Sequence, residues 1–117
     1  MRGLLLAGLL LAASTGWAEA VSRGNGAILR VLDKLTGELR DVELPNGGAA
    51  SMGRLQLELG ECRYPEGNPS GDAYAFVTVR DTDGEPVFSG WMIASSPALN
   101  ALDHPRYDVW VIRCNTL

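Results

Sequence analysis

Between Arg54 and Leu59, in the strand that runs to Cys62, the chain alternates without a break. Leu55, Leu57 and Leu59 point one way, and Arg54, Gln56 and Glu58 point the other. A period of two over this length is a strand with one face in a core and one in water, and it excludes an amphipathic helix. The same signal recurs along the chain. Ala27–Asp33 sets Leu29 and Val31 against Ile28 and Leu32, and Glu38–Leu44 returns after the turn Lys34–Gly37. Leu39 falls out of phase with Val42 and Leu44, which predicts a bulge or register change between them. Ala73–Asp81, with Tyr74 and Phe76 opposite Ala75, Val77 and Val79, is apolar on both faces, as a central strand is. Asp83-Gly84 marks a hairpin, and Pro86–Met92 is its return strand. Tyr107–Cys114 sets Val109 and Val111 against Trp110 and Ile112, with Cys114 in phase with Trp110. It reads as a second central strand that carries Trp110 into the core.

Three segments break the pattern. Residues 21–26 are polar and contain glycine, and they read as a mobile lead-in. Arg63–Asp72 has two prolines and two glycines and reads as the main exposed loop. Ser95-Ser96-Pro97 has the form of a helix start, with a serine cap and proline in the first turn. The helix over Ala98–Leu102 would place Leu99 and Leu102 on one side and end before Pro105. The fold class that follows is all-β. A small antiparallel β-sandwich or barrel of about six to seven strands is expected, with one short helix before the last strand.

Residues 1–20 read as a secretory signal peptide. Arg2 is the positive end, Leu4–Ala13 the apolar run and Ala18-Glu19-Ala20 the small-x-small cleavage site. The run falls short of the roughly 20 residues that cross a bilayer. Residues 21–117 then form a single β domain with no membrane span, placed in the periplasm. In that oxidising compartment Cys62 and Cys114, the only cysteines, are expected to pair as a disulfide. Cys62 lies on the polar side of its strand by strict alternation, so burying it needs a bulge near Gly60.

Chemistry-bearing patterns are few. The chain has a net charge of −4 and its cations are scattered, so nucleic acid is not an expected partner. His104 is the single histidine, and one histidine with dispersed carboxylates is not a transition-metal site. Asp81, Asp83 and Glu85 lack the remaining ligands of a calcium loop and read as a polar turn. No cofactor motif is present. A serine hydrolase could be drawn from Ser95 or Ser96 with His104 and Asp103 or Asp108, but without a nucleophile-elbow motif. The preferred reading gives His104 and Asp103 a loop-closing role. A further alternative is a peptide- or sugar-binding module using Trp91 and Tyr107. The leading expectation is a non-enzymatic domain that binds a protein partner in the periplasm or at the inner membrane. The loop from Ile93 to Arg106 beside Trp91 is the candidate surface, with Trp91, Ser95, Ser96, Leu99, His104 and Tyr107 as its residues.

A set of segments carries a family resemblance. They are Phe88-Ser89-Gly90-Trp91-Met92, Ala94-Ser95-Ser96-Pro97-Ala98-Leu99, Leu102-Asp103-His104-Pro105, and Tyr107-Asp108-Val109-Trp110 with Cys114. Leu32-Asp33-Lys34 to Gly37 and Cys62 also fit. With these the chain resembles the DUF2155 family of exported alphaproteobacterial proteins. The resemblance implies a short exported protein with two cysteines and no assigned activity. It also implies a gene neighbourhood with an accessory subunit of respiratory NADH dehydrogenase, and so a partner on the periplasmic face of an inner-membrane complex.

Overall fold

The structure is a computed structural model and describes residues 20–116. The export segment read over residues 1–20 therefore lies outside the described residues except for Ala20. Among the described residues there are eight strands and no helix: β1 (Val21–Arg23), β2 (Gly26–Asp33), β3 (Leu39–Pro45), β4 (Ala49–Met52), β5 (Leu55–Pro65), β6 (Tyr74–Arg80), β7 (Pro86–Ile93) and β8 (Tyr107–Asn115). All pairings are antiparallel. One sheet has five strands. β5, β6 and β7 lie side by side, and β1 and β4 pair with different halves of the same edge of β5. The other sheet has three strands in the order β3-β2-β8.

The sheets face each other across one core, because each presents its apolar phase to the other. Leu29 and Val31 of β2 and Tyr107, Val109 and Val111 of β8 come from one sheet. Leu55, Leu57 and Leu59 of β5, Val77 and Val79 of β6 and Met92 of β7 come from the other. Fully burying a side chain of this size contributes about 2 kcal/mol. The leucine alternation of β5 is thus the backbone of the larger sheet's inner face.

Cys62 and Cys114 form a disulfide that joins β5 in one sheet to β8 in the other. Both cysteines owe their inward direction to bulges. Leu59 pairs with Val77 but Cys62 pairs with Ala75, so β5 carries an extra residue at Gly60–Glu61. This is the bulge that burial of Cys62 required. On β8 the pairing slips from Val111 with Leu29 to Arg113 with Ile28, leaving Ile112 as the extra residue. One extra residue reverses the phase of everything after it. Cys114 therefore joins the face of Val111.

That second bulge corrects the reading of β8. Trp110 is half-buried on the outer face, not in the core. Its apparent phase with Cys114 misled, because Ile112 intervenes. β8 is also an edge strand of its sheet rather than a central one. Its outer-face apolar residues are half-covered instead of enclosed. β6 does lie centrally, between β5 and β7.

Three further expectations change. Residues 21–23 are not a loose lead-in but β1, paired with Arg63–Pro65. β5 consequently runs through Pro65, and the loop that follows is shorter than residues 63–72. The β2–β3 ladder keeps one register from Gly26/Pro45 to Leu32/Leu39 with no bulge. Leu39 is out of phase simply because it faces outward and is exposed.

The helix expected over Ala98–Leu102 is absent. Ser96 N–H bonds to Ile93 C=O and Leu99 N–H to Ser96 C=O, which are two successive four-residue turns. The cap is lost because Ser95 is engaged elsewhere: its N–H and hydroxyl both donate to the Asp72 carboxylate. So short a segment does not offset the cost of helix nucleation by itself. Nor do its leucines share a face, since Leu102 is buried and Leu99 is 74% exposed.

Candidate docking surface

β7 is the outermost strand of the larger sheet, and its backbone register follows from one bond. Ala94 N–H bonds to Ala73 C=O, in line with the pairing of Tyr74 with Ile93. Antiparallel ladders alternate, so the polar groups of Met92 and Gly90 face β6 and those of Ser89, Trp91 and Ile93 face away from it. Two contacts agree with this direction. Trp91 C=O accepts a hydrogen bond from Asn100 Nδ2 at 2.8 Å, and Ile93 C=O accepts the Ser96 turn bond. Gly90 makes room for the first of these, because a Cβ there would crowd the Asn100 amide.

The Trp91 ring lies on the outer face of the sheet and is 36% exposed. Phe76, its cross-strand neighbour, meets it edge-on with centroids 5.4 Å apart. The Arg63 guanidinium stacks over it at 5.1 Å, held in place by a two-point contact with Glu61. Such contacts fix the ring without covering it. Beyond the edge the 94–106 loop raises Leu99 into solvent. Between that loop and β8 lies an open pocket of about 250 Å³, walled by Pro97, Ala98, Ala101, Leu102, Val109 and Trp110.

The loop is anchored at both ends. At its start Asp72 holds Ser95, with the hydroxyl contact at 2.6 Å. Burial alone would raise the Asp72 pKa, but the Ser95 hydroxyl and the Ala73 and Ser95 amides more than offset it. At its end, His104 Nε2 lies 3.0 Å from Asp81, and His104 Nδ1 accepts the N–H groups of Arg106 and Tyr107. Because Nδ1 accepts, Nε2 carries the proton and donates to Asp81. Arg106 makes a two-point ion pair with buried Asp33 at 3.0 and 2.8 Å. Lys34 donates to His104 C=O. Asp33 also accepts the Leu35 and Thr36 amides.

These contacts hold two carboxyls well below their usual range. The Arg106 hydrogen bond lowers Asp33 to about 2, and the His104 hydrogen bond lowers Asp81 to about 2. Unfolded aspartate titrates near ~3.9. A depressed folded pKa adds stability above the unfolded value and loses it as pH falls. Stability should therefore fall as pH drops from about 4 to about 2. Denaturant midpoints across that window will show the slope, and Asp33→Asn will flatten it. An unchanged slope in that variant would remove the role assigned to Asp33.

The residues singled out in the sequence divide into two groups. Trp91, Ser95 and Leu99 are exposed around the end of β7, with Ser96 half-buried in the turn. His104 and Tyr107 belong to the structural end of the loop. Tyr107 is fully buried, and its hydroxyl accepts the Arg54 N–H at 3.1 Å. It offers no exposed ring to a sugar or peptide, which corrects its inclusion in a binding surface. Ser95 and His104 are held by different aspartates, and among the described residues neither Ser95 nor Ser96 hydrogen-bonds to His104. Among the described residues no three His, Cys, Asp or Glu side chains are grouped to hold a metal. Ser89, Asn100 and Arg63 were not anticipated. The signal for Ser89 was present, since it alternates in phase with Trp91 and Ile93 on a strand without charge.

These features define a class: a disulfide-joined antiparallel β-domain that presents an uncharged sheet edge beside an exposed tryptophan. The chain belongs to the DUF2155 family, described as an uncharacterized protein conserved in bacteria, whose model matches residues 27–114. It is 29% identical over 101 residues to the uncharacterized protein RP359 of Rickettsia prowazekii (strain Madrid E). That match covers 83% of this chain and 64% of the relative, so the chain spans less than two thirds of that relative's length. No solved structure matches. Among the described residues no helix is long and apolar enough to cross a membrane.

Proposed function

We propose that this is a non-enzymatic periplasmic domain that docks a protein partner through the surface formed by the β7 edge, Trp91 and the Leu99 turn. The observation that carries this reading is the β7 edge, which no further strand pairs among the described residues and which the 94–106 loop caps at the Trp91 and Ile93 carbonyls. Unpaired strand edges are pairing sites, and proteins protect them with charge or cover. β3, the edge strand of the smaller sheet, carries Arg40, Asp41 and Glu43. β7 carries no charge over its eight residues. A disulfide between the sheets suits an oxidising compartment, which supports export. The family resemblance points to the periplasmic face of a respiratory inner-membrane complex as the place of docking, in an accessory or assembly role.

A photo-reactive residue at Leu99 in tagged cells will test this, with one at Leu39 as the control. Both leucines are exposed, but Leu39 lies on charged β3. A stoichiometric protein crosslinked from Leu99 and not from Leu39 is the expected result. Equal labelling from both, or none from Leu99, would remove the reading.

A further inference from the structure

The geometry points to strand addition at β7 as the mode of docking, with an occupant of defined chemistry. That occupant is an extended segment of another protein, uncharged where it pairs and carrying Lys or Arg at the end that meets Asp83 and Glu85. The inference rests on the docking reading above and specifies its mode.

The backbone supplies the first half. Ser89 presents both its N–H and its C=O away from β6, and Trp91 presents its N–H. Ser89 is exposed. The Trp91 C=O is occupied only by the Asn100 side chain, an exposed and replaceable donor. A strand laid along β7 would take these groups in its own ladder and displace that amide. The side chains alternate so that Ser89 and Trp91 flank it on the outer face, while the inner side at Gly90 is taken by the same Asn100 amide that the strand would displace.

Charge supplies the second half. From Asp81 to Pro105 the chain has four acids, Asp81, Asp83, Glu85 and Asp103, and no lysine or arginine. Asp81 is already engaged, by the His104 hydrogen bond and by Arg54 at 3.9 Å. Asp83 and Glu85, in the turn that leads into β7, form no ion pair among the described residues. They are exposed anions at one end of an uncharged edge. Charge complementarity steers and orients a partner more than it adds affinity, so a basic end would fix the direction of the added strand. The same distribution argues against a second copy. In the antiparallel pairing that a two-fold between two β7 edges imposes, Asp83 and Glu85 of each copy would meet the uncharged far end of the other, where residues 81–105 supply no lysine or arginine.

The test uses the full mature chain and two synthetic peptides of alternating threonine and valine, one ending in two lysines and one in two glutamates. Backbone amide exchange and NMR shifts are followed during titration. The lysine peptide should protect the Ser89 and Trp91 amides, with the glutamate peptide about tenfold weaker at low salt. Asp83→Lys with Glu85→Lys, both in an exposed turn, should reverse that order of preference. Asn100→Ala should tighten binding by about threefold, since one exposed hydrogen bond no longer has to be displaced. Ser89→Pro should abolish binding while keeping the disulfide and the fold, because that N–H faces away from the ladder. Equal binding of both peptides, protection elsewhere than Ser89 and Trp91, or sedimentation as a β7-mediated dimer would overturn the inference. So would a protein crosslinked from Leu99 that leaves those two amides exchanging as before. In that last case the docking surface stands and strand addition falls.

Discussion

Replacing Cys62 and Cys114 together with alanine will lower the stability of the domain by about 4 kcal/mol, the chain-entropy value for a loop of this length. The cysteines are 52 residues apart in sequence. Between them run β6, β7 and the whole 94–106 loop, so the bond closes more than half of the described chain. In the unfolded state that closure removes conformations that the folded state does not use. Two methyl-sized side chains also replace a fully buried sulfur pair. For a domain of this size the loss corresponds to a drop of about 20 °C in Tm. Thermal unfolding of the oxidised protein and the double variant will measure it. A difference under about 1 kcal/mol would show that the unfolded chain was already compact and the bond adds little.

Gly53→Ala will cost about 3 kcal/mol, from two sources that act at one atom. β4 and β5 are joined by Gly53 and Arg54 alone, with Met52 opposite Leu55. Gly53 has φ of +57°, while no residue other than glycine has positive φ among those described. That is the glycine-first pattern of a type II′ turn. A side chain there is strained by the backbone, and its Cβ would also overlap the Tyr107 hydroxyl. The hydroxyl cannot swing aside, since Tyr107 is fully buried and holds the Arg54 N–H. Combining the change with Tyr107→Phe separates the two sources. The double variant should lose less than the sum of the single changes, because the overlap is relieved. Full additivity in denaturant unfolding would leave backbone strain as the whole cost.

The legible parts of this fold were those where side-chain period speaks directly. Leu55, Leu57 and Leu59 define the inner face of β5 from sequence alone, whereas β6 reads as apolar on both faces and only the structure puts Val77 and Val79 inside. The illegible parts were those where backbone partners decide. Val21–Arg23 has no apolar period, yet it is a strand because Arg63–Pro65 offers it a ladder. Ala49–Met52 has too little pattern to read, and it pairs because the Gly53 turn folds it onto β5. Ser95 has the chemistry of a helix cap, but Asp72 lies 23 residues away in sequence and takes its hydrogen bonds. Local propensity lost to a tertiary contact there. Of the candidate surface, Trp91 and Leu99 were visible as apolar residues beside a turn. Tyr107 looked equally available and is buried, since neighbouring strands set which side of an alternating strand is inside.

By itself the sequence determined the strand periods, the acidic stretch free of lysine and arginine, and the requirement for a bulge beside Cys62. Each is a property of residue order over a few positions. The tertiary structure decided which strands lie at the edges, on which side of β8 Trp110 falls, and which serine and histidine contacts form. These depend on pairings between residues far apart in the chain. A single extra residue at Ile112 was enough to turn Cys114 to the inner face of Val111, opposite to Trp110, and only the partner strand reveals where that extra residue sits.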